Sequence, residues 1–127
     1  MRKILIGLAA SSAMVAAMFG SAGAAVVPNV GPKADVAAVT ATAVRDWHNH
    51  NEFHMNGVHV VGDYALFQWY GGESAGDGVY KRVSGEVWKK IVVGGGEIGE
   101  VNLTQYISSK SIAHQLCSKW PAHYSPC

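Results

Sequence analysis

The chain has 127 residues, with 10 Lys and Arg against 9 Asp and Glu. That length makes one domain with a core of ordinary proportions. A formal charge of +1 excludes the basic face that a nucleic-acid phosphate track needs, and equally excludes a polyacidic tail.

Residues 1–24 read as a Sec-type signal peptide. Met1-Arg2-Lys3 is a short basic start, Ile4 to Phe19 carries no charge, and Ala22-Gly23-Ala24 gives the small-x-small pattern of a cleavage site. The apolar run of about 16 residues falls short of the roughly 20 that span a bilayer, so a cleaved leader is expected rather than an anchor. Cleavage after Ala24 leaves 8 basic and 9 acidic side chains, a formal charge of −1. The expected product is one exported domain, residues 25–127, periplasmic or secreted. In an oxidising compartment Cys117 and Cys127 are expected to form a disulfide. Closing their 11-residue loop, which contains Pro121 and Pro126, removes about 3 kcal/mol of unfolded-chain entropy. The alternative, a soft metal pair, finds no compact C-x-x-C clip here.

Ala25 to Pro32 reads as an extended lead-in. Lys33 to Trp47 is predicted helical, with Val36, Val39, Ala43, Val44 and Trp47 on one apolar stripe and Asp35 in the first turn, where an acid suits the helix dipole. His48 to Gly57 is polar and breaks the period, so a loop is expected. Val58 to Val61 and Tyr64 to Tyr70 form a hairpin about Gly62-Asp63, and Val79 to Val83 and Glu86 to Val93 a second about Ser84-Gly85. Gly71 to Gly78 is expected to be a flexible connection between them. Ala65, Phe67 and Trp69 mark one face, and Val79, Lys81 and Val83 alternate apolar with charged, as in a sheet with one wet face. Glu97 to Tyr106 can be helical, with Ile98, Val101 and Tyr106 toward the core. Ser108 or Ser109 can cap a last helix running to Lys119. The fold class expected is α+β: an N-terminal helix, a four-stranded antiparallel meander sheet and two short C-terminal helices.

One stretch carries a family pattern. Val60-Val61-Gly62-Asp63-Tyr64-Ala65-Leu66 precedes Gln68-Trp69; Gly-Asp-Gly-Val-Tyr-Lys-Arg (76–82) follows; Trp88 to Val92 leads into a glycine break; and two short helices end in Ile112-Ala113-His114-Gln115-Leu116. Over residues 58–118 the chain resembles the small exported bacterial copper uptake system-associated proteins. The resemblance implies an association with copper handling. It departs from the family at the end of the last strand, where Val93 stands in place of a cysteine and Gly94-Gly95-Gly96 in place of a Ser-Gly-Asp break.

Independently, His48, His50, His54 and His59 fall within twelve residues, with Met55 beside His54. Imidazole suits copper, zinc and nickel, and a thioether favours Cu(I). These five residues are the candidate metal ligands, with Glu52 as a possible oxygen donor and copper as the expected metal. Their irregular spacing matches no closed zinc motif, and a solvated polar loop with an exposed strand histidine is the plainer alternative. The function expected is a non-catalytic accessory protein that exchanges copper with a membrane transporter or a cuproenzyme. A second hypothesis is a sheet-based module that binds an apolar ligand or a protein partner in a pocket lined by Trp69, Phe67 and Tyr80. A third, a small enzyme using Asp63 and His59, lacks a nucleophile elbow or phosphate loop to support it. Asp63 reads first as a turn residue.

Overall fold

The computed structural model describes residues 27–48, 52–121 and 125–127. The signal peptide, with its cleavage site, and His50 lie outside the described residues. The elements are helix α1 (Lys33–Trp47), strands β1 (His54–Val61), β2 (Tyr64–Gly71), β3 (Ser74–Ser84) and β4 (Val87–Gly95), and two short helices, α2 (Glu100–Leu103) and α3 (Lys110–Leu116). The strands form one antiparallel sheet in the order β1-β2-β3-β4. The fold is the α+β arrangement expected from the sequence. No helix among the described residues is long and apolar enough to cross a bilayer.

Each hairpin turns on a glycine followed by an acid: Gly62-Asp63, Gly72-Glu73 and Gly85-Glu86. The pairs Val61↔Tyr64, Gly71↔Ser74 and Ser84↔Val87 close them. All three glycines have positive φ (59°, 56° and 48°), which matches a two-residue turn to the right-handed twist of its strands. The segment expected to be a flexible connection is therefore strand. Its glycines are there for space: a Cβ on Gly78 would enter the Phe67 ring, and one on Gly76 would meet the backbone of Gly94. β1 likewise starts at His54, inside the expected loop.

Alternation along β2 sends Ala65 and Phe67 to one face and Leu66 to the other, and each face has its own core. On the first face α1 packs Val39 and Ala43 against Val58, Val60, Phe67, Tyr80 and Trp88. On the second, Leu103, Ile107, Ala113, Leu116 and Trp120 pack against Leu66 and Val79. The expected wet face is thus covered by the C-terminal segment. A bulge in β4, where Val79 pairs Val92 and Tyr80 pairs Lys90, turns both Ile91 and Val92 toward the second core. Val93 packs against the first.

Two expectations about the helices change. α1 has the expected bounds, but Val44 is exposed and Thr42 is buried in its place, its hydroxyl donating to the Ala38 carbonyl at 2.7 Å. The segment after β4 forms only four helical residues. Val101 and Tyr106 face solvent, while Leu103 and Ile107 enter the core. Ser109 caps α3, accepting from the Ile112 N–H at 3.2 Å. The Cys117–Cys127 disulfide is present, with 5.6 Å between the Cα atoms.

Candidate functional site

Two regions hold polar chemistry: the histidine loop between α1 and β1, and a cleft at the end of the β3–β4 hairpin.

The histidine loop is held at both ends by aromatic rings. Trp47, the last residue of α1, stacks on Phe53 at 6.4 Å between centroids, and Phe53 stacks on Trp69 of β2 at 6.0 Å. The Trp47 indole N–H donates to the Tyr80 hydroxyl at 3.2 Å, and that hydroxyl donates to Asp46 at 2.7 Å. Burial and the Asp46 carboxylate hold Tyr80 un-ionised. The neighbours of Trp47 and Phe53, His48 and His54, are both exposed and flank the closed loop. His48 Nδ1 lies 2.7 Å from the Arg45 carbonyl. A carbonyl oxygen only accepts, so the neutral ring carries its proton on Nδ1 and its lone pair on Nε2. Metal-binding histidines are commonly oriented in this way by a backbone carbonyl. His54 stacks on the Tyr70 ring at 4.9 Å.

The other two candidate ligands are placed elsewhere. Met55 is half-buried and packs into the core beneath α1. His59 is 1% exposed, with Trp120 stacked on it at 3.9 Å between centroids. It is a core residue, which corrects both the ligand and the exposed-strand readings. It lies five positions along the strand from His54, a span of about 16 Å at roughly 3.3 Å per residue, too far for one ion. Burial holds its imidazole below the ordinary range, and nearby backbone at Pro28, Leu116 and Ser118 offsets this only in part. None of these groups meets a ring nitrogen in a hydrogen bond of proper geometry. Among the described residues no three His, Cys, Asp or Glu side chains gather as a metal site.

The pocket expected around Phe67, Trp69 and Tyr80 is filled. Phe67 and Tyr80 are wholly buried and in edge-to-face contact at 5.4 Å, with α1 packed over them. Asp63, as expected of a turn residue, is exposed, and it accepts from Arg82 Nε at 3.0 Å. The Arg82 fork also grips both oxygens of Asp35 (3.0 and 2.8 Å), joining the start of α1 to β3. That bond holds the Asp35 carboxyl below the usual carboxylate range.

The second region was not legible as a site. Asp77, in β3, is 5% exposed and lines an open cleft of about 300 Å³ bordered by Gly94, Gly95, Gly96 and Asn102 of α2. Its Oδ2 accepts from the Ile98 N–H at 2.9 Å. Burial, opposed by that bond and assisted by Glu97, pushes its carboxyl up to about 6. The signal in the sequence was parity: Asp77 is two residues before Val79 and shares its buried face.

Compared with known proteins, the chain matches no family model, no curated protein and no solved structure.

Proposed function

We propose that the protein is an exported, non-catalytic accessory protein that captures copper at the loop between α1 and β1 and passes it by ligand exchange to a membrane transporter or a cuproenzyme. The observation that carries this reading is the loop itself. Stacking of Trp47 on Phe53 brings its two ends together, and an exposed imidazole follows each ring, that of His48 with its lone pair left on Nε2 by the Arg45 carbonyl. His50 lies between them in sequence. The donor chemistry fits: neutral imidazoles bind Cu(I) and Cu(II), and few ligands, with His48 and His54 both exposed, suit a cargo that must leave again. Burial of His59, and the packing of half-buried Met55 against the core, trim the ligand set to His48, His50 and His54, with Glu52 as an oxygen donor. The resemblance of residues 58–118 to copper uptake system-associated proteins supports the same metal. The Cys117–Cys127 disulfide supports an oxidising compartment.

The test is a titration with Cu(I) and Cu(II) of protein purified after export, beside a variant with His48, His50 and His54 changed to Ala. The expected outcome is one-to-one binding that weakens at least about a hundredfold in the variant and is unchanged in His59→Gln. Equal affinity in the triple variant sinks the proposal.

A further inference from the structure

The Asp77 cleft has no part in the copper reading, and its chemistry is different. At about 300 Å³ it is far larger than a metal ion and matches the lower end of small-molecule pockets. Among the described residues its polar side chains are Asp77, Glu97, Asn102, Gln105 and Tyr106, and none of those lining it is Lys, Arg or His. Two carboxyl groups and no cation leave a site that favours a positively charged guest. Asp77 is deep and satisfied on one side only by the Ile98 amide. The Asn102 amide nitrogen donates one of its two N–H groups to the Ile98 carbonyl at 2.9 Å, and its side-chain oxygen is an acceptor. The Trp69 indole N–H holds the Gly94 carbonyl at 3.1 Å, and Gly96 donates to Ala75 at 3.1 Å, so the glycine wall is fixed although it has no side chains. Val92, Ile98 and the Tyr106 ring supply apolar surface beside the carboxyl groups.

Calcium or magnesium wants six or more oxygen ligands in one small shell, whereas this cleft offers two carboxyl groups in a space of about 300 Å³. A guest with a hydrogen-bonding cationic head and a short hydrocarbon stem satisfies both kinds of wall. We propose that the cleft binds a small organic cation, an alkylguanidinium or alkylammonium, with the Asp77 carboxylate as partner of the cationic head. The head supplies the charge that Asp77 lacks in its buried position, and the stem lies against Val92, Ile98 and Tyr106. Among the described residues the titratable groups on the cleft are Asp77, Glu97 and Tyr106; Glu100 of α2 is paired outside it with His114 of α3 at 3.3 Å.

The experiment follows amide shifts by NMR as protein purified after export is titrated with butylguanidinium chloride, and in parallel with n-butanol and with calcium chloride. Near pH 8 butylguanidinium is expected to saturate shifts at Gly95, Gly96, Ile98 and Asn102, and n-butanol to leave them unmoved. Affinity should fall about tenfold or more in Asp77→Asn, which keeps an acceptor for Ile98, and by a similar factor in the unaltered protein near pH 5, where Asp77 is neutral. The pH arm decides the matter alone if Asp77→Asn does not fold. Absence of saturable shifts at about 20 mM guanidinium, equal binding near pH 5, or shifts from calcium alone would overturn the proposal. Replacing His48, His50 and His54 leaves the expected result unchanged, so failure of the copper reading is separable.

Discussion

Asp77 shows how one side chain sets a pH dependence. Its carboxyl titrates near 6 in the folded chain and in the ordinary carboxylate range once unfolded. The folded state therefore holds more protons between about pH 4 and 6, and stability falls as pH rises through that window. The size is at most about 3 kcal/mol, at 1.36 kcal/mol per unit. Asp35 works in the opposite sense, because its bond to Arg82 lowers its pKa and its contribution is lost as pH falls. The Asp77 part is isolated by comparing Asp77→Asn with the unaltered protein in urea at pH 4.5 and 7.5. The variant is expected to gain on the parent between the two, by about 1–3 kcal/mol; parallel changes would show that Asp77 is well solvated. At this scale the sequence was a partial guide. His48 and His54 are exposed, as residues of a polar segment should be, although His54 opens β1 where a loop was expected. The sequence could not bury His59, because the residues that cover it, Trp120 above all, lie sixty positions away.

At the scale of elements, the helix, the turns at Gly62-Asp63 and Gly85-Glu86 and the second half of β3 were legible, and the first half of β3 with its Gly72-Glu73 turn was not. Lys33 to Trp47 has a clean 3.6-residue period, and local stereochemistry decides a glycine–acid turn. Residues 74–78 contain two glycines, an acid and no β-branched side chain, so propensity argues for a loop. What makes them a strand is non-local. β2 and β4 pair with them on both sides, and the missing side chains admit the Phe67 ring and the Gly94 backbone. The consequence can be measured. Gly78→Ala needs no unusual backbone angle, yet its methyl group enters the Phe67 ring, so a loss of about 1–3 kcal/mol is expected. Phe67→Leu opens a gap and costs about 1–2 kcal/mol alone. In the double variant the methyl group occupies space that the ring has left, so the two losses should sum to less than their parts in a thermal or urea cycle. Strict additivity would mean that Gly78 is kept for some reason other than Phe67.

For the whole molecule, the second core depends on a segment with little regular structure. Among the described residues after β4, eleven are helical, in two pieces, yet the segment must hold one face of a four-stranded sheet. Helices this short are not stable alone. Two links fix the segment from its far end. The disulfide joins Cys127 to Cys117 at the end of α3, and the buried Pro126 accepts from the Gly99 N–H at 2.9 Å, just before α2. Gly99 follows Ile98, whose own N–H holds Asp77. The tail thus connects the last helix to the rim of the cleft. Replacing both cysteines with Ala should cost about 3 kcal/mol from loop closure. If the tail only restricts the unfolded chain, amide exchange will quicken by the same factor everywhere that exchange reports global unfolding. If it also clamps the native state, Ile98 and Gly99 will lose protection first and most, through local opening, while Leu66 and Val79 follow global stability. The Pro126–Gly99 bond argues for the second pattern. Native-state hydrogen exchange on the two proteins distinguishes them, and uniform acceleration would confine the disulfide to its effect on the unfolded chain.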